Sequence, residues 1–190
     1  MDDTESGDGP PKALMIAAIA VAVVAVGSIV IFAALRQASP SEKPVAIVSV
    51  PAPKADSADC RALVDALPES LGDYQRAAAA DPAPPAVAAW RANPDGEAVI
   101  LRCGLDRPAE FVLGSPLQVV DAVSWFRVGE AGAGDDPDAD QERSTWFAVD
   151  RPVYVALTLP AGSGPTPIQE ISQLIAKSLP ARAVDSAPVR

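Results

Sequence analysis

The chain has 190 residues, contains no histidine and carries a formal net charge of −10 at pH 7. Such an acidic surplus repels phosphate backbones, which argues against nucleic acid as a partner. The lack of histidine removes the commonest general base near neutral pH and the commonest transition-metal ligand, so Ser-His-Asp, Cys-His and histidine-metal chemistry are excluded. An enzyme of this composition would have to work with carboxylates, and the sequence predicts neither a cofactor nor a metal site.

An uncharged apolar run starts at Ala13 and ends at Leu35, between Lys12 and Arg36. As a helix, its 23 residues would be about 35 Å long, which is enough to cross the roughly 30 Å hydrocarbon core of a bilayer. The run is longer than the apolar part of a cleavable signal, and no small-x-small cleavage pattern follows it. We therefore predict that this run is an uncleaved transmembrane helix.

The two sides of the predicted membrane helix, residues 13–35, give conflicting signals for its orientation. One lysine precedes the helix, whereas Arg36, Lys43 and Lys54 follow it, which by the positive-inside rule favours a cytoplasmic domain. The N-terminal segment is too short for this count to be decisive, and the two cysteines favour an oxidising compartment. We therefore predict a cytoplasmic N-terminus at residues 1–12 and an extracytoplasmic domain, with the lipid bilayer as the first partner.

A proline-rich segment, residues 36–56, is predicted to link the membrane helix to the domain. Its four prolines forbid a helix and favour extended chain, although residues 45–50 are apolar enough to form an edge strand instead. Ser57 is then a suitable N-cap for a helix that ends near Leu67 and that carries Cys60 on its apolar stripe. The folded domain is expected to begin with this helix.

Two strands joined by an Asn-Pro-Asp-Gly turn are predicted at residues 87–91 and 98–103. On the second strand Cys103 shares a face with apolar residues, as Cys60 does on the preceding helix. Packing that helix on the sheet would bring both sulfur atoms together, so we predict a disulfide between Cys60 and Cys103. The alternative is a pair of reduced cysteines in the core.

Two strands that share the pattern hydroxyl-Trp-Phe-x-Val are predicted at residues 124–128 and 145–149. The segment between them is rich in glycine and aspartate, which predicts a long, mobile, acidic loop at residues 129–143. This loop does not fit the EF-hand pattern, so a solvated loop is favoured over a calcium site. In each strand phenylalanine and valine share one face, which we expect to be the core, and tryptophan takes the other.

The last two predicted elements are a strand at residues 153–159 and a helix whose apolar stripe begins at Ile168 and ends before Pro180. Together the elements predict an α+β domain at residues 57–180, in which an antiparallel sheet is packed by short helices near both ends. Residues 181–190 are predicted to form a disordered tail.

An aromatic and cationic surface for glycans, peptides or lipid phosphates is one binding hypothesis. The side chains available for it are Trp90, Trp125, Trp146, Arg102, Arg127 and Arg151. Trp125 and Arg127 would lie side by side if both project from the face opposite Phe126, and these two with Arg151 are the residues that we predict to bind a ligand. The alternative is that a helix covers this face and the tryptophans are core residues. A hydrolase would instead need two carboxylates such as Asp106 and Glu110, whose spacing does not require that chemistry.

Several short motifs are spread along the domain. They are Cys-Arg-Ala-Leu at residues 60–63, Ala-Leu-Pro at 66–68, Leu-Arg-Cys-Gly-Leu at 101–105 followed by Pro108, Val-Ser-Trp at 123–125 and Arg-Pro-Val at 151–153. With these motifs, residues 45–179 resemble an uncharacterised actinobacterial family of single-pass anchored or secreted proteins, classed as a domain of unknown function. The resemblance implies a location in the cell envelope and a domain with paired cysteines, and it implies no activity.

The sequence therefore predicts a membrane-anchored extracytoplasmic domain that binds or scaffolds a partner in the cell envelope, either a protein or a cell-wall ligand. Two alternatives stay open. One is a carboxylate-dependent envelope hydrolase or modifying enzyme, and the other is an accessory subunit whose membrane helix contacts a larger complex. A convergent polar cleft would favour the enzyme, whereas a filled core with a surface groove would favour the binding domain.

Overall fold

The computed structural model describes residues 16, 19, 21, 23–28, 43–129 and 143–188. The chain divides into two compact units, Met1–Ser41 and Glu42–Arg190. The described residues of the predicted membrane helix are helical, while its other residues and the predicted cytoplasmic N-terminus lie outside the described part. Among the described residues, no helix combines the length and the apolar character needed to span a bilayer. The membrane helix stays a prediction.

The described residues of the second unit form eight strands and two helices. In chain order these are α1 (Ala58–Asp65), β1 (Ser70–Leu71), β2 (Tyr74–Ala77), β3 (Val87–Arg91), β4 (Ala98–Leu105), β5 (Gln118–Val120), β6 (Val123–Gly129), β7 (Ser144–Ala148), β8 (Tyr154–Leu159) and α2 (Thr166–Ser178). All strand pairs are antiparallel, and the order across the sheet is β1-β2-β3-β4-β8-β7-β6-β5. The predicted α+β class with an antiparallel sheet is confirmed.

The sheet consists of two four-stranded meanders, β1 to β4 and β5 to β8. Within each meander, strands that are consecutive in sequence are also neighbours in space, which is the usual arrangement of antiparallel strands. The meanders meet through β4 and β8 at the centre of the sheet, where Cys103 lies opposite Val155. Both central strands are buried on both faces, so their sequences are nearly continuous apolar runs. The segment between β4 and β5 therefore crosses from the centre of the sheet to its far edge.

The main hydrophobic core lies between the sheet and the two helices. α1 begins after the N-cap Ser57, whose hydroxyl accepts the Cys60 N–H at 3.2 Å, as the sequence predicted. α2 contributes an apolar stripe, which consists of Ile168, Ile171 and Ile175. The two helices pack on each other and together cover one face of the sheet, with α2 in contact with β1 as well as with β5 and β6, which gives the domain its two layers.

The tryptophan faces of β6 and β7 belong to this main core. Trp125 and Trp146 point toward α2, whereas the opposite face carries a small cluster in which Phe126 packs on Phe111 with ring centroids 5.1 Å apart. The expectation that the phenylalanine and valine side is the core is therefore wrong for the main core. Both faces of these strands are apolar, and such a pattern does not say which face the helices cover.

Part of the predicted linker packs on the face opposite the helices. Residues 43–50 bury Val45 and Ile47 against β2 to β4. Val45 makes main-chain hydrogen bonds at 2.8 and 2.9 Å to the segment around Ala79, as one parallel bridge rather than the edge strand that the sequence allowed. The compact unit accordingly begins before Ser57, at Glu42.

Part of the predicted tail also packs on this face. The Ala187 N–H donates to the Phe111 carbonyl oxygen at 3.2 Å, and the Tyr154 hydroxyl donates to the Asp185 carbonyl oxygen at 3.1 Å. Burial raises the pKa of Tyr154, the nearby Arg107 opposes this shift and Asp185 adds to it. Residues 181–188 thus lie along the segment that connects β4 to β5, and they make specific contacts with it.

Candidate functional site

A cleft of about 420 Å³ opens beside the first turn of α2, on the helix side of the sheet. Its walls come from β5, β6, β7 and β8 and from the loop that precedes α2. The buried floor consists of Trp146, Leu159 and Ile168, and the more exposed rim includes Arg127, Gln118 and Gln169. A mostly apolar cleft with a few polar groups is typical of a binding site.

Trp146 forms a flat apolar surface in the cleft. Its side chain is buried, and its ring N–H donates to the Ser144 hydroxyl at 3.0 Å. The guanidinium carbon of Arg127 lies 5.5 Å from the centre of the Trp146 ring, within the range of a cation–π contact. Because Arg127 and Trp146 are opposite each other in the register of β6 and β7, the sheet itself fixes this contact.

Arg127 is the only charged residue among the described residues that line the cleft. Acid–base catalysis by carboxylates needs two acidic groups placed around a substrate, and the described lining supplies neither of them. It supplies instead the hydroxyl groups of Ser144 and Ser163, two amide side chains and apolar walls. This arrangement suits the binding of an apolar group that has a polar or negative end.

The edge strand β5 runs beside the cleft. Val119 lies opposite Ser124, which directs its N–H to the Asp150 carboxylate at 2.9 Å and accepts the Val149 N–H at 3.0 Å. Since Ser124 uses both main-chain groups on its other side, this is a non-hydrogen-bonded pair, and the N–H and C=O of Val119 face away from the sheet. The Val119 side chain is 70% exposed. Within the described ranges, β5 therefore presents an open edge.

Of the three residues predicted to bind a ligand, Arg127 lines the cleft and the other two lie elsewhere. Trp125 has no exposed surface, and its ring N–H donates to the Ser172 hydroxyl on α2 at 2.9 Å. Arg151 is buried with its Nη1 2.9 Å from the Asp150 carboxylate. Trp125 and Arg127 share a strand face as expected, but α2 covers Trp125. Binding by these residues stays a prediction.

The remaining residues singled out in the sequence lie away from the cleft or outside the described part. Trp90 is buried, with its ring N–H donating to the Pro68 carbonyl oxygen at 2.9 Å. Asp106 and Glu110 are exposed on the connection between β4 and β5, and they do not line the cleft. Of the acidic loop, residues 130–142 lie outside the described part, so the calcium question is not addressed by the structure.

The predicted disulfide is present. Cys60 in α1 and Cys103 in β4 are bonded, with their Cα atoms 5.6 Å apart, and both residues are buried in the main core. The pairing is confirmed and replaces the alternative of two reduced cysteines. The bond joins the first helix to a central strand across a sequence separation of 43 residues.

A match to the DUF3515 family, proteins of unknown function, spans residues 19–184. The chain belongs to this family. No curated protein and no solved structure matches the chain. The DUF3515 match includes all described strands and helices of the second unit, so the disulfide, the cleft and the β5 edge are parts of the family domain. The actinobacterial origin and the single-pass anchor that the resemblance implied stay predictions.

The sequence patterns did not predict the cleft of this DUF3515 domain. Arg127 and Trp146 were among the six side chains considered for an aromatic and cationic surface, but the sequence paired Arg127 with Trp125, and β5 and the loop at residues 160–165 gave no strand or motif signal. One local signal was available: α2 begins after Pro165 without a side-chain N-cap and follows a Gly-Ser-Gly-Pro stretch. Small residues before an uncapped helix leave space beside its first turn.

Proposed function

We propose that this DUF3515 protein is a single-pass, membrane-anchored extracytoplasmic domain that binds an extended segment of a partner protein in the cell envelope. The observation that carries the proposal is the open edge of β5 beside the cleft. An extended segment can add to such an edge through main-chain hydrogen bonds while alternate side chains enter a neighbouring groove. The edge and the cleft would then work as one surface.

The proposed location is supported by the disulfide and by the apolar run in the sequence. Disulfides persist in oxidising compartments outside the cytoplasm, and the Cys60–Cys103 bond is buried in the core. Residues 13–35 are long and apolar enough for a membrane helix. Within this run, Ile16 and Ile19 are 68% and 63% exposed, and apolar side chains so exposed to water would be better accommodated by lipid.

Space for the side chains of the partner exists between β5 and α2. The cleft and a second groove of about 480 Å³ share Val120 and Gln169, so they form one path along the edge strand. A segment that pairs with β5 would direct every second side chain into this path. Its other side chains would lie beside Leu117 and Val119, which are 37% and 70% exposed on the opposite face.

The charges along this path, taken with the commoner antiparallel pairing, indicate the chemistry of the segment. Arg127 lines the path near Gln118, at the start of β5, and Asp121 lines it just after the strand. An antiparallel segment, the commoner kind of pairing, would place its C-terminal end near Arg127. We therefore expect a segment that is apolar in its middle, acidic toward its C-terminal end and basic toward its N-terminal end.

A photo-crosslinking residue in place of Gln173, which lines the second groove, tests this proposal in intact cells. We expect a discrete adduct with one partner protein. Val119→Pro should reduce the adduct at least about tenfold, because proline lacks the N–H that faces the edge and keeps the added strand away. The fold should survive, since proline is tolerated on edge strands where the N–H points to solvent. Val119→Thr, which keeps the N–H, is the matched control and should retain the adduct.

Two results would contradict strand addition at β5. One is an adduct whose yield is the same in Val119→Pro and in the parent chain, and the other is the absence of any adduct. An adduct with twice the mass of the chain would show that a second copy occupies the edge, and it would contradict a partner protein as the occupant.

A further inference from the structure

Arg102 carries a cation that has no carboxylate partner among the described residues. It lies on β4, on the face opposite the helices, and the ion pairs of the described residues do not involve it. Its Nε is buried without a hydrogen-bond partner, and its Nη1 makes one long contact of 3.4 Å to the Thr158 hydroxyl. Burying part of a guanidinium without strong acceptors is unfavourable. The placement of a partly buried arginine at residue 102 therefore requires an explanation.

Three other arginines also have a buried Nε: Arg91 and Arg151 are compensated through their outer nitrogens, and Arg127 contacts an aromatic ring. Arg91 donates to two main-chain carbonyl oxygens, and Arg151 pairs with Asp150. In the described parts of the chain, Arg102 has neither kind of acceptor. What distinguishes Arg102 is therefore the absence of a strong acceptor around the whole guanidinium, and not the buried Nε alone.

Two threonine hydroxyl groups continue from Arg102 across the sheet. Thr158 Oγ1 lies 3.0 Å from Thr145 Oγ1, and the two residues are opposite each other on β8 and β7. When Arg102 donates to Thr158, the Thr158 hydroxyl can donate to Thr145, and the proton of Thr145 is then available to a further acceptor. The row of side chains therefore ends in a hydrogen-bond donor.

A second cation lies close to this row. Arg143 directly precedes β7, two residues before Thr145, and no ion pair of the described residues involves it. The two-residue spacing of Arg143 and Thr145 is the one that puts alternate side chains of an extended strand on one face, and burial and then the charge of Arg143 lower the pKa of Arg102. In a chain of net charge −10, this is a local concentration of positive charge.

We propose that Arg102, Arg143, Thr145 and Thr158 form a binding site for an oxyanion of the phosphate class on the face opposite the helices. The planar guanidinium of Arg102 can offer two parallel N–H groups to two oxygens of one phosphate, and Arg143 and Thr145 can donate to the others. A free phosphate ion and the headgroup of an anionic lipid present the same oxygens. This site does not depend on the proposed partner cleft, which lies on the helix side.

Isothermal calorimetry of the full-length chain in neutral detergent tests the site, with inorganic phosphate and the diester glycerophosphoglycerol as the two ligands. At low ionic strength we expect saturable binding of at least one of them. Arg102→Gln should weaken binding at least about tenfold, and Thr145→Val about threefold. The matched control Arg182→Gln removes the same charge from an exposed position and should change the affinity less than about twofold.

The two ligands distinguish the sources of the phosphate group. Tighter binding of the diester would support a lipid headgroup, and tighter binding of inorganic phosphate would support the free ion. Binding of neither, or an unchanged affinity in both Arg102→Gln and Thr145→Val, would overturn the site. Thermal unfolding checks the fold of each variant, and Thr145→Val, which keeps the shape of the side chain, decides the question if Arg102→Gln does not fold.

Discussion

Among single residues, Asp150 and Arg151 hold the hairpin that carries the open edge. The Arg151 side chain is 2% exposed, and its Nη2 donates to the Ala122 carbonyl oxygen in the turn between β5 and β6 at 2.6 Å. Asp150 accepts the Ser124 N–H on β6 at 2.9 Å. Both residues therefore position β5, although neither of them lines the cleft.

Arg151→Gln should lower the free energy of unfolding by about 3–5 kcal/mol, because it leaves the Asp150 carboxylate buried without its counterion. Urea denaturation at neutral pH measures the loss. The control is Asp95→Asn, which breaks the pair of Lys43 and Asp95, whose side chains are 81% and 83% exposed. That change should cost less than about 1 kcal/mol, and equal losses in the two variants would contradict the structural role of the buried pair.

Ser172→Ala should lower the free energy of unfolding by about 1–3 kcal/mol, because it leaves the Trp125 ring N–H buried without an acceptor. The hydrogen bond between the two side chains is 2.9 Å long, and neither residue has exposed surface. Ser178→Ala, at the half-buried end of the same helix, is the control and should have little effect. A Ser172→Ala variant as stable as the parent chain would show that this bond does not hold Trp125 in the core.

The sequence predicted the roles of residues that depend on local patterns. It could not separate core residues from surface residues on the face of β6 and β7 that carries the tryptophans. Ser57 and the two cysteines were found because an N-cap and an apolar stripe are local features. Trp125 and Arg127 were correctly placed on one strand face. Whether that face is open depends on α2, and Ser172, which binds Trp125, lies 47 residues further along the chain.

Among the elements, β4 has an irregularity at Gly104, where its register with β8 shifts. The φ angle of Gly104 is +86°, and an added Cβ would lie closer than 3.0 Å to main-chain atoms of Lys54 and Ala55. The Lys54 N–H donates to the Gly104 carbonyl oxygen at 3.0 Å. The glycine therefore allows the segment before α1 to approach the strand that carries the disulfide.

Gly104→Ala should lower the free energy of unfolding by about 3 kcal/mol or more, because it combines a left-handed backbone with a clash against main-chain atoms. Gly114→Ala is the matched control. Gly114 also has a positive φ, +89°, but an added Cβ there would meet nothing within 4 Å, so its loss should be about 1–2 kcal/mol. Similar losses in denaturant titrations of the two variants would contradict the importance of the close approach.

Long elements were predictable from the sequence, and short or irregular ones were not. β3, β4, β6, β7 and β8 show alternation or continuous apolar runs over at least five residues, which is enough for a pattern to be counted. β1 and β5 have two and three residues, so no period can be recognised. Residues 43–50 and 181–188 have the composition of a linker and a tail, but their isolated hydrogen bonds and few buried side chains attach them to the sheet.

For the molecule as a whole, the order of the strands is the feature that sequence reasoning missed. The pairs within each meander join strands that are consecutive in sequence, but the pairing of β4 with β8 joins distant parts of the chain. Local patterns cannot specify such a contact. The cleft depends on this order, because β8 brings the loop before α2 beside β6 and β7, and the β4–β5 connection places β5 at the far edge.

The location of the domain outside the cytoplasm is the claim on which the proposed function rests, and the native state of Cys60 and Cys103 tests it most directly. Cells are lysed in a denaturant that contains an alkylating reagent and no reductant, so that buried thiols can also react, and the intact mass of the isolated chain is measured. We expect no alkylation of either cysteine until reductant is added, because both sulfur atoms form one buried disulfide. Alkylation of both cysteines without reductant would contradict the extracytoplasmic location.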